Sequence, residues 1–124
     1  MALQYGSRTS GLLYLAALIA VLGGPAHADI PHRIASFNLC ADQLMVALAD
    51  REQIVGLSPY ASDPRVAAVA DKARTFPKLP LQAEALVPHK PDLVLVGTWD
   101  RPLTQRLLRS LGFRVVRLDV PANL

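Results

Sequence analysis

The chain has one cysteine, Cys40, among its 124 residues. No internal disulfide is therefore possible, and outside the cytoplasm the fold must rest on its core alone. No apolar run approaches the ~20 residues that a membrane-spanning helix requires; Leu12 to Leu22 holds eleven. Gly-x-Gly-x-x-Gly and the phosphate-cradling P-loop pattern are both missing, so a nucleotide cofactor has no evident seat. The net charge of +3 is small and its members are scattered, which excludes a nucleic-acid footprint. Beyond residue 28 there are two histidines, His32 and His89. With a single cysteine they do not make the three or four converging ligands of a zinc site. No repeat, low-complexity segment or linker divides the chain.

What is present begins with a leader. Arg8 supplies a positive region, Leu12 to Leu22 an apolar core, and Gly23, Gly24 and Pro25 break it before Ala26-His27-Ala28, a small-x-small cleavage pattern. Residues 1–28 therefore read as a signal peptide cut between Ala28 and Asp29, which directs the mature chain to the periplasm. A lipid anchor would need a cysteine at the cut, so a free protein is expected. Residues 29–124 carry twelve Lys and Arg against ten Asp and Glu, a balance of +2. A chain of this size supports one modest domain.

The stretch that organises the domain is Lys90 to Leu103. Leu93 to Val96 is a short apolar run, rich in β-branched side chains, fenced by Pro91 and Asp92 before and Gly97 after. Such a run without polar alternation reads as a central strand of a parallel sheet covered on both faces. The loop after it holds Gly97, Thr98, Trp99, Asp100 and Arg101. Ligands of open α/β sheets sit at the carboxyl ends of the strands, so recognition is expected there. The plainer alternative is that Asp100 caps the next helix and Trp99 packs.

Arg33 to Phe37 reads as the first strand, with Asn38 placed to cap a helix that buries Leu39, Leu44, Met45 and Leu48 and turns Asp42 and Gln43 outward. Ile54 to Leu57 is a second strand ending in Ser58-Pro59-Tyr60, completing a parallel crossover. Asp63 and Pro64 suggest the start of a short helix to Asp71, Ala73 to Phe76 a minor strand, and Leu81 to Val87 one or two helical turns around Glu84, stopped by Pro88. Asp100 then caps a helix that buries Leu103, Leu107, Leu108 and Leu111, keeps Gln105, Arg106 and Arg109 outside and stops at Gly112. Arg114 to Leu118 is the last strand. The fold class expected is α/β: one three-layer Rossmann-like unit with a mostly parallel sheet of about four strands, spanning 29–124.

Covalent chemistry has little footing. Gly56-x-Ser58 begins like a nucleophile elbow, but Tyr60 stands where the second glycine is required. Cys40, beside a helix start, has the place of an activated thiol, though a small buried hydrophobe is the favoured reading.

Three segments carry a family resemblance: Arg33 to Leu44, Ile54 to Tyr60 and Leu86 to Val96, the last with its Lys90-Pro91-Asp92 turn and apolar strand. In order and spacing the chain resembles the N-terminal lobe of the periplasmic substrate-binding proteins of ABC importers for cobalamin, haem and ferric siderophores. Members of that family hold the ligand between two lobes bridged by a long helix. The resemblance covers the first lobe, with the second absent from the sequence, and the glycine-rich turn common in relatives is missing between Phe76 and Leu81. It implies a non-enzymatic role: capture of an iron chelate, haem or cobalamin and delivery to the permease and its ATPase, as a monomer that meets the membrane through the permease. No cofactor is implied beyond the ligand. If the site is complete, Asn38, Leu39, Tyr60, Trp99, Asp100 and Arg101 line it, with Tyr60 and Trp99 offering flat faces and Arg101 a forked donor. The resemblance also gives Glu84 the place of the acidic residue that docks on permease arginines. The alternatives are a small secreted α/β hydrolase built around Ser58, or a truncated remnant that no longer binds.

Overall fold

The computed structural model describes residues 29–119. The expected signal peptide and the closing Pro121 to Leu124 lie outside the described residues. Seven regular elements follow in order: β1 (Ile34–Ser36), α1 (Leu39–Leu48), β2 (Ile54–Gly56), α2 (Ala70–Ala73), β3 (Leu93–Gly97), α3 (Pro102–Ser110) and β4 (Val115–Leu118). Short 3-10 helices occupy Arg51–Gln53, Pro59–Ser62 and Ala83–His89.

The four strands form one all-parallel sheet in the order β2-β1-β3-β4. Ile34, Ala35 and Ser36 stand opposite Leu93, Val94 and Leu95, and Val94 to Gly97 opposite Val115 to Leu118. Because side chains alternate along a strand, the sheet supplies two cores. Ala35, Val55, Val94 and Val96 pack with Leu79, Ala83, Leu86 and Leu108 of α3. On the opposite face Ile34 and Ile54, with Leu93 and Leu95 against them, pack with Met45 of α1, Ala61 and Ala73. Helices thus cover both faces, as the apolar run of β3 required, and the three-layer α/β expectation holds.

The structure corrects the expected helix faces. In α1 the inward residues are Ala41, Asp42 and Met45, while Leu44 and Leu48 are 51% and 80% exposed. The helix is turned so that the Asp42 carboxylate meets Ser58. In α3 Gln105 is buried beside Leu108, whereas Leu103 and Leu111 are exposed and Leu107 is half-buried. Here the Gln105 amide is drawn inward by backbone carbonyls. Cys40 is exposed rather than buried.

Other corrections concern ends and turns. Asp100 does not cap α3; Arg101 holds the N-cap position without a side-chain bond, because the Asp100 carboxylate is occupied by the Gly97 N–H. Residues 64–69 are turns rather than helix, since the Asp63 carboxylate folds back onto the Arg65 backbone and guanidinium, and α2 is confined to Ala70–Ala73. Ala73 to Phe76 closes that helix instead of forming a strand. The added pairing comes later, where Leu57 bridges Lys78. The turn around Glu84 runs through Pro88 and ends at Lys90, whose left-handed φ of 45° terminates it, while the Arg33 guanidinium donates to the His89 carbonyl at 2.6 Å. Gly112, at φ 86°, ends α3 as expected: its N–H bonds the Arg109 carbonyl, and the Phe113 N–H bonds that of Leu108.

Candidate functional site

The strand order fixes where a site can form. From β1 the chain moves outward to β2; it then crosses back to β3, on the other side of β1, and continues to β4. The connections after β1 and β3 therefore diverge, α1 lying on one face and α3 on the other. Between them the sheet opens at the carboxyl ends of two adjacent strands, the crevice where such sheets bind ligands.

A hollow of about 510 Å³ occupies this place, within the range of small-molecule sites. Asn38 and Leu39 reach it from β1, Tyr60 from the turn after β2, and Trp99, Asp100 and Arg101 from the loop after β3. The structure thus brings all six expected residues together. Phe37, Leu81, Gln82, Val96, Thr104 and Gln105 complete the lining. Glu84 is not part of it and stands exposed on the 3-10 helix Ala83–His89.

Several lining residues are committed to the frame. Asn38 Oδ1 caps α1 by accepting from the N–H groups of Cys40 at 2.9 Å and Ala41 at 3.3 Å. Asn38 is held in turn by Ser36, whose hydroxyl donates to the Asn38 carbonyl and accepts from its N–H. Asp100 Oδ2 accepts from the Gly97 N–H at 2.5 Å, closing the loop on the strand that precedes it. Gln105 Nε2 donates to the Gly97 carbonyl at 3.1 Å and the Asp100 carbonyl at 3.0 Å, tying the same loop to α3. Thr98 donates from its hydroxyl to the Asp119 carboxylate, which holds that carboxyl below its ordinary range.

Tyr60, Trp99 and Arg101 face outward. Trp99 is 91% and Tyr60 53% exposed, and Arg101 enters no ion pair among the described residues. Two aromatic surfaces and a guanidinium therefore stand at the rim, an arrangement suited to holding a flat or acidic molecule. Among the described residues no cluster of His, Cys, Asp or Glu could hold a metal ion.

The sequence reading turned Asp42 outward and weighed Ser58 only as a hydrolase nucleophile, and so missed their pairing. Both are fully buried, and Asp42 accepts from the Ser58 N–H at 3.1 Å and from its hydroxyl at 2.5 Å. Burial pushes the Asp42 carboxyl above its ordinary value, against the hydrogen bonds from Ser58 and Ser36, and the nearby Asp100 charge pushes the same way. The available clue was the i, i+3 spacing of Asp42 and Met45, which puts both on one helix face. A hydrolase built on Ser58 finds its hydroxyl sealed in the interior and already bonded, out of reach of a substrate.

No protein-family model matches the chain. Over 100 residues it is 32% identical to a cobalamin-binding protein of Halobacterium salinarum, a match spanning 76% of this chain and 26% of that protein. Among solved structures, a periplasmic heme binding protein from Pseudomonas aeruginosa superposes with a TM-score of 0.58 at 23% identity, covering 73% of this chain and 32% of the other. The periplasmic vitamin B12 binding protein of Vibrio cholerae gives a TM-score of 0.57 at 24% identity, covering 70% and 34%. The resemblance expected from the three sequence segments is therefore shown, and these similar proteins are binding proteins rather than enzymes. The chain spans between a quarter and about a third of their length.

Proposed function

We propose that this chain is the N-terminal lobe of a periplasmic substrate-binding protein of an ABC importer, and that its hollow forms one wall of a site for haem, cobalamin or a ferric siderophore. The observation that carries the reading is the convergence of three strand-end segments on one hollow at the switch point, with Trp99 and Tyr60 left uncovered at its rim. Covering an indole of roughly 200 Å² is worth on the order of 5 kcal/mol before the costs of association, so Trp99 is the natural anchor for an apolar ring system. Arg101 supplies a forked donor for a carboxylate or catecholate, and the bound molecule is delivered to a permease and its ATPase. The second wall belongs to the part of the relatives' length that this chain does not span. Glu84, exposed on its 3-10 helix, is the docking contact in this reading, because a carboxylate meeting arginine at a partly desolvated interface gains more than an exposed ion pair.

Trp99 is the chain's sole tryptophan, so its fluorescence reports on the hollow directly. Titration with hemin, cyanocobalamin and ferrioxamine B is expected to give saturable quenching with at least one of them, weakened by Arg101→Ala. No response to any of the three would overturn the reading. Glu84→Ala is expected to leave the titration unchanged and to lower uptake by cells; wild-type uptake would remove the docking role. Protein recovered from the periplasm should begin at Asp29, and an amino terminus at Met1 would contradict export by cleavage.

A further inference from the structure

The Asp42 carboxylate sits in the core with no exposed surface and no cation in ion-pair contact among the described residues. Such a group costs stability unless its bonds are good, and an apolar side chain of similar volume would serve packing better. Two of its donors, an N–H at 3.1 Å and a hydroxyl at 2.5 Å, belong to one residue, Ser58, which starts the 3-10 helix Pro59–Ser62, while Ser36 also bears on the carboxyl. Asp42 lies one turn beyond Asn38 on α1, so the contact joins the α1 segment of the hollow to the segment after β2.

We infer that Asp42 is a positioning residue for this hollow: through Ser58 it fixes the Pro59–Tyr60 turn, so that Tyr60 stands at the rim before any ligand arrives. The lever is short. Only Pro59 separates the clamped Ser58 from Tyr60, and its ring locks one of the intervening torsions. The Ala61 N–H bonds the Ser58 carbonyl at 3.2 Å, which carries the constraint past the tyrosine. A preformed rim spares the ordering cost that a loose tyrosine would add at binding. The inference rests on the reading of the hollow as a ligand site, but the placement of Tyr60 can be tested without a ligand.

The chain has three tyrosines, Tyr5, Tyr14 and Tyr60. In full-length protein carrying 3-fluorotyrosine, Tyr60→Phe identifies the Tyr60 fluorine resonance. Asp42→Ala is expected to move that resonance toward its position in urea and to change its relaxation. Asp42→Asn should leave it near the wild-type position, because the amide can accept from the Ser58 N–H and donate to its hydroxyl. Should Asp42→Ala not fold, Ser58→Ala, which removes only the hydroxyl bond, decides by the same readout. In parallel, hemin and cyanocobalamin titrations should show affinity falling about tenfold in Asp42→Ala and returning to within about threefold of wild type in Asp42→Asn. An unmoved Tyr60 resonance in folded Asp42→Ala or Ser58→Ala would overturn the inference, as would equal losses of affinity in the Ala and Asn variants. If wild type binds neither probe while Tyr60 responds as expected, the positioning stands and the ligand reading fails.

Discussion

Replacing Gly97 by alanine tests how tightly the two strand ends at the crevice are fitted. A Cβ built there would lie 2.3 Å from Asn38 Nδ2, 3.0 Å from Asn38 Cγ and 3.4 Å from Asp100 Oδ2. The first distance is one that real contacts do not show, so the Asn38 side chain must move. Asn38 Oδ1 caps α1 through two N–H groups, and loss of such a cap costs about 1 kcal/mol, within a range of roughly 0.5 to 2. Residual crowding adds to this, so Gly97→Ala should destabilise the domain by about 1 to 3 kcal/mol. For a domain this small each kcal/mol lowers the melting temperature by about 4 to 8 °C. A double-mutant cycle isolates the cause. Asn38→Gly alone should cost only a few tenths of a kcal/mol, because glycine is a tolerable N-cap. In that background Gly97→Ala should become nearly neutral, since the clashing amide is gone. Urea unfolding of the four proteins measures the coupling. If Gly97→Ala costs the same with and without the Asn38 side chain, the contact is not the source of the strain and the argument fails.

The orientation of α1 predicts opposite outcomes at neighbouring positions. Met45→Ala should cost about 2 to 5 kcal/mol as a core truncation, whereas Leu48→Ser, at an 80% exposed position, should change stability by no more than about 0.5 kcal/mol. Denaturant midpoints decide it, and a large loss at Leu48 would mean the helix is turned the other way. The buried Asp42 carboxyl predicts a pH slope. Burial raises its folded value above 3.8 while the unfolded chain stays near 3.8, so in that window the native state binds more protons and stability falls as pH rises through it. Asp42→Asn lacks this group, so wild type should lose stability relative to the variant as pH rises above the unfolded value of 3.8, and parallel pH profiles in urea would refute the shift.

The sheet was legible in the sequence because its information is local. Leu93 to Val96 is apolar on both faces and fenced by Pro91, Asp92 and Gly97, and no other element type fits so short a run. The site was legible for a different reason: parallel strands all end on one side, so Asn38, Tyr60 and Trp99 had to converge whatever the helices did. Helix orientation was not legible. Periodicity weighs apolar residues only, yet the inward positions of α1 and α3 include Asp42 and Gln105, drawn there by the Ser58 N–H and hydroxyl and by the Gly97 and Asp100 carbonyls. Those partners lie 16, 8 and 5 residues away and enter no heptad count. The helical turns around Glu84 appear as the 3-10 helix Ala83–His89, but the stretch from Asp63 to Lys78 was not legible, for a related reason. Its order comes from distant contacts, such as Leu79 N–H to the Leu57 carbonyl at 2.8 Å and the Arg51 guanidinium on Thr75 and over the Phe76 ring, rather than from its own propensities.

The same bonds separate two kinds of residue around the hollow. Asn38, Asp100 and Gln105 line it, yet the Asn38 amide oxygen, the Asp100 carboxylate and the Gln105 amide nitrogen already bond within the fold. Redirecting any of them toward a ligand would uncap α1 or release the loop after β3, at about 1 kcal/mol or more for each bond given up. Trp99 and Tyr60 carry no such obligation: their exposed surface gains by being covered, and no bond of the fold is broken when a partner covers them. Arg101 keeps its guanidinium out of every ion pair among the described residues. Its planar fork suits a carboxylate or catecholate better than a lysine ammonium would. Under the proposed function, substitutions in the first group therefore act on recognition through the shape of the rim, while those in the second act through the contact itself.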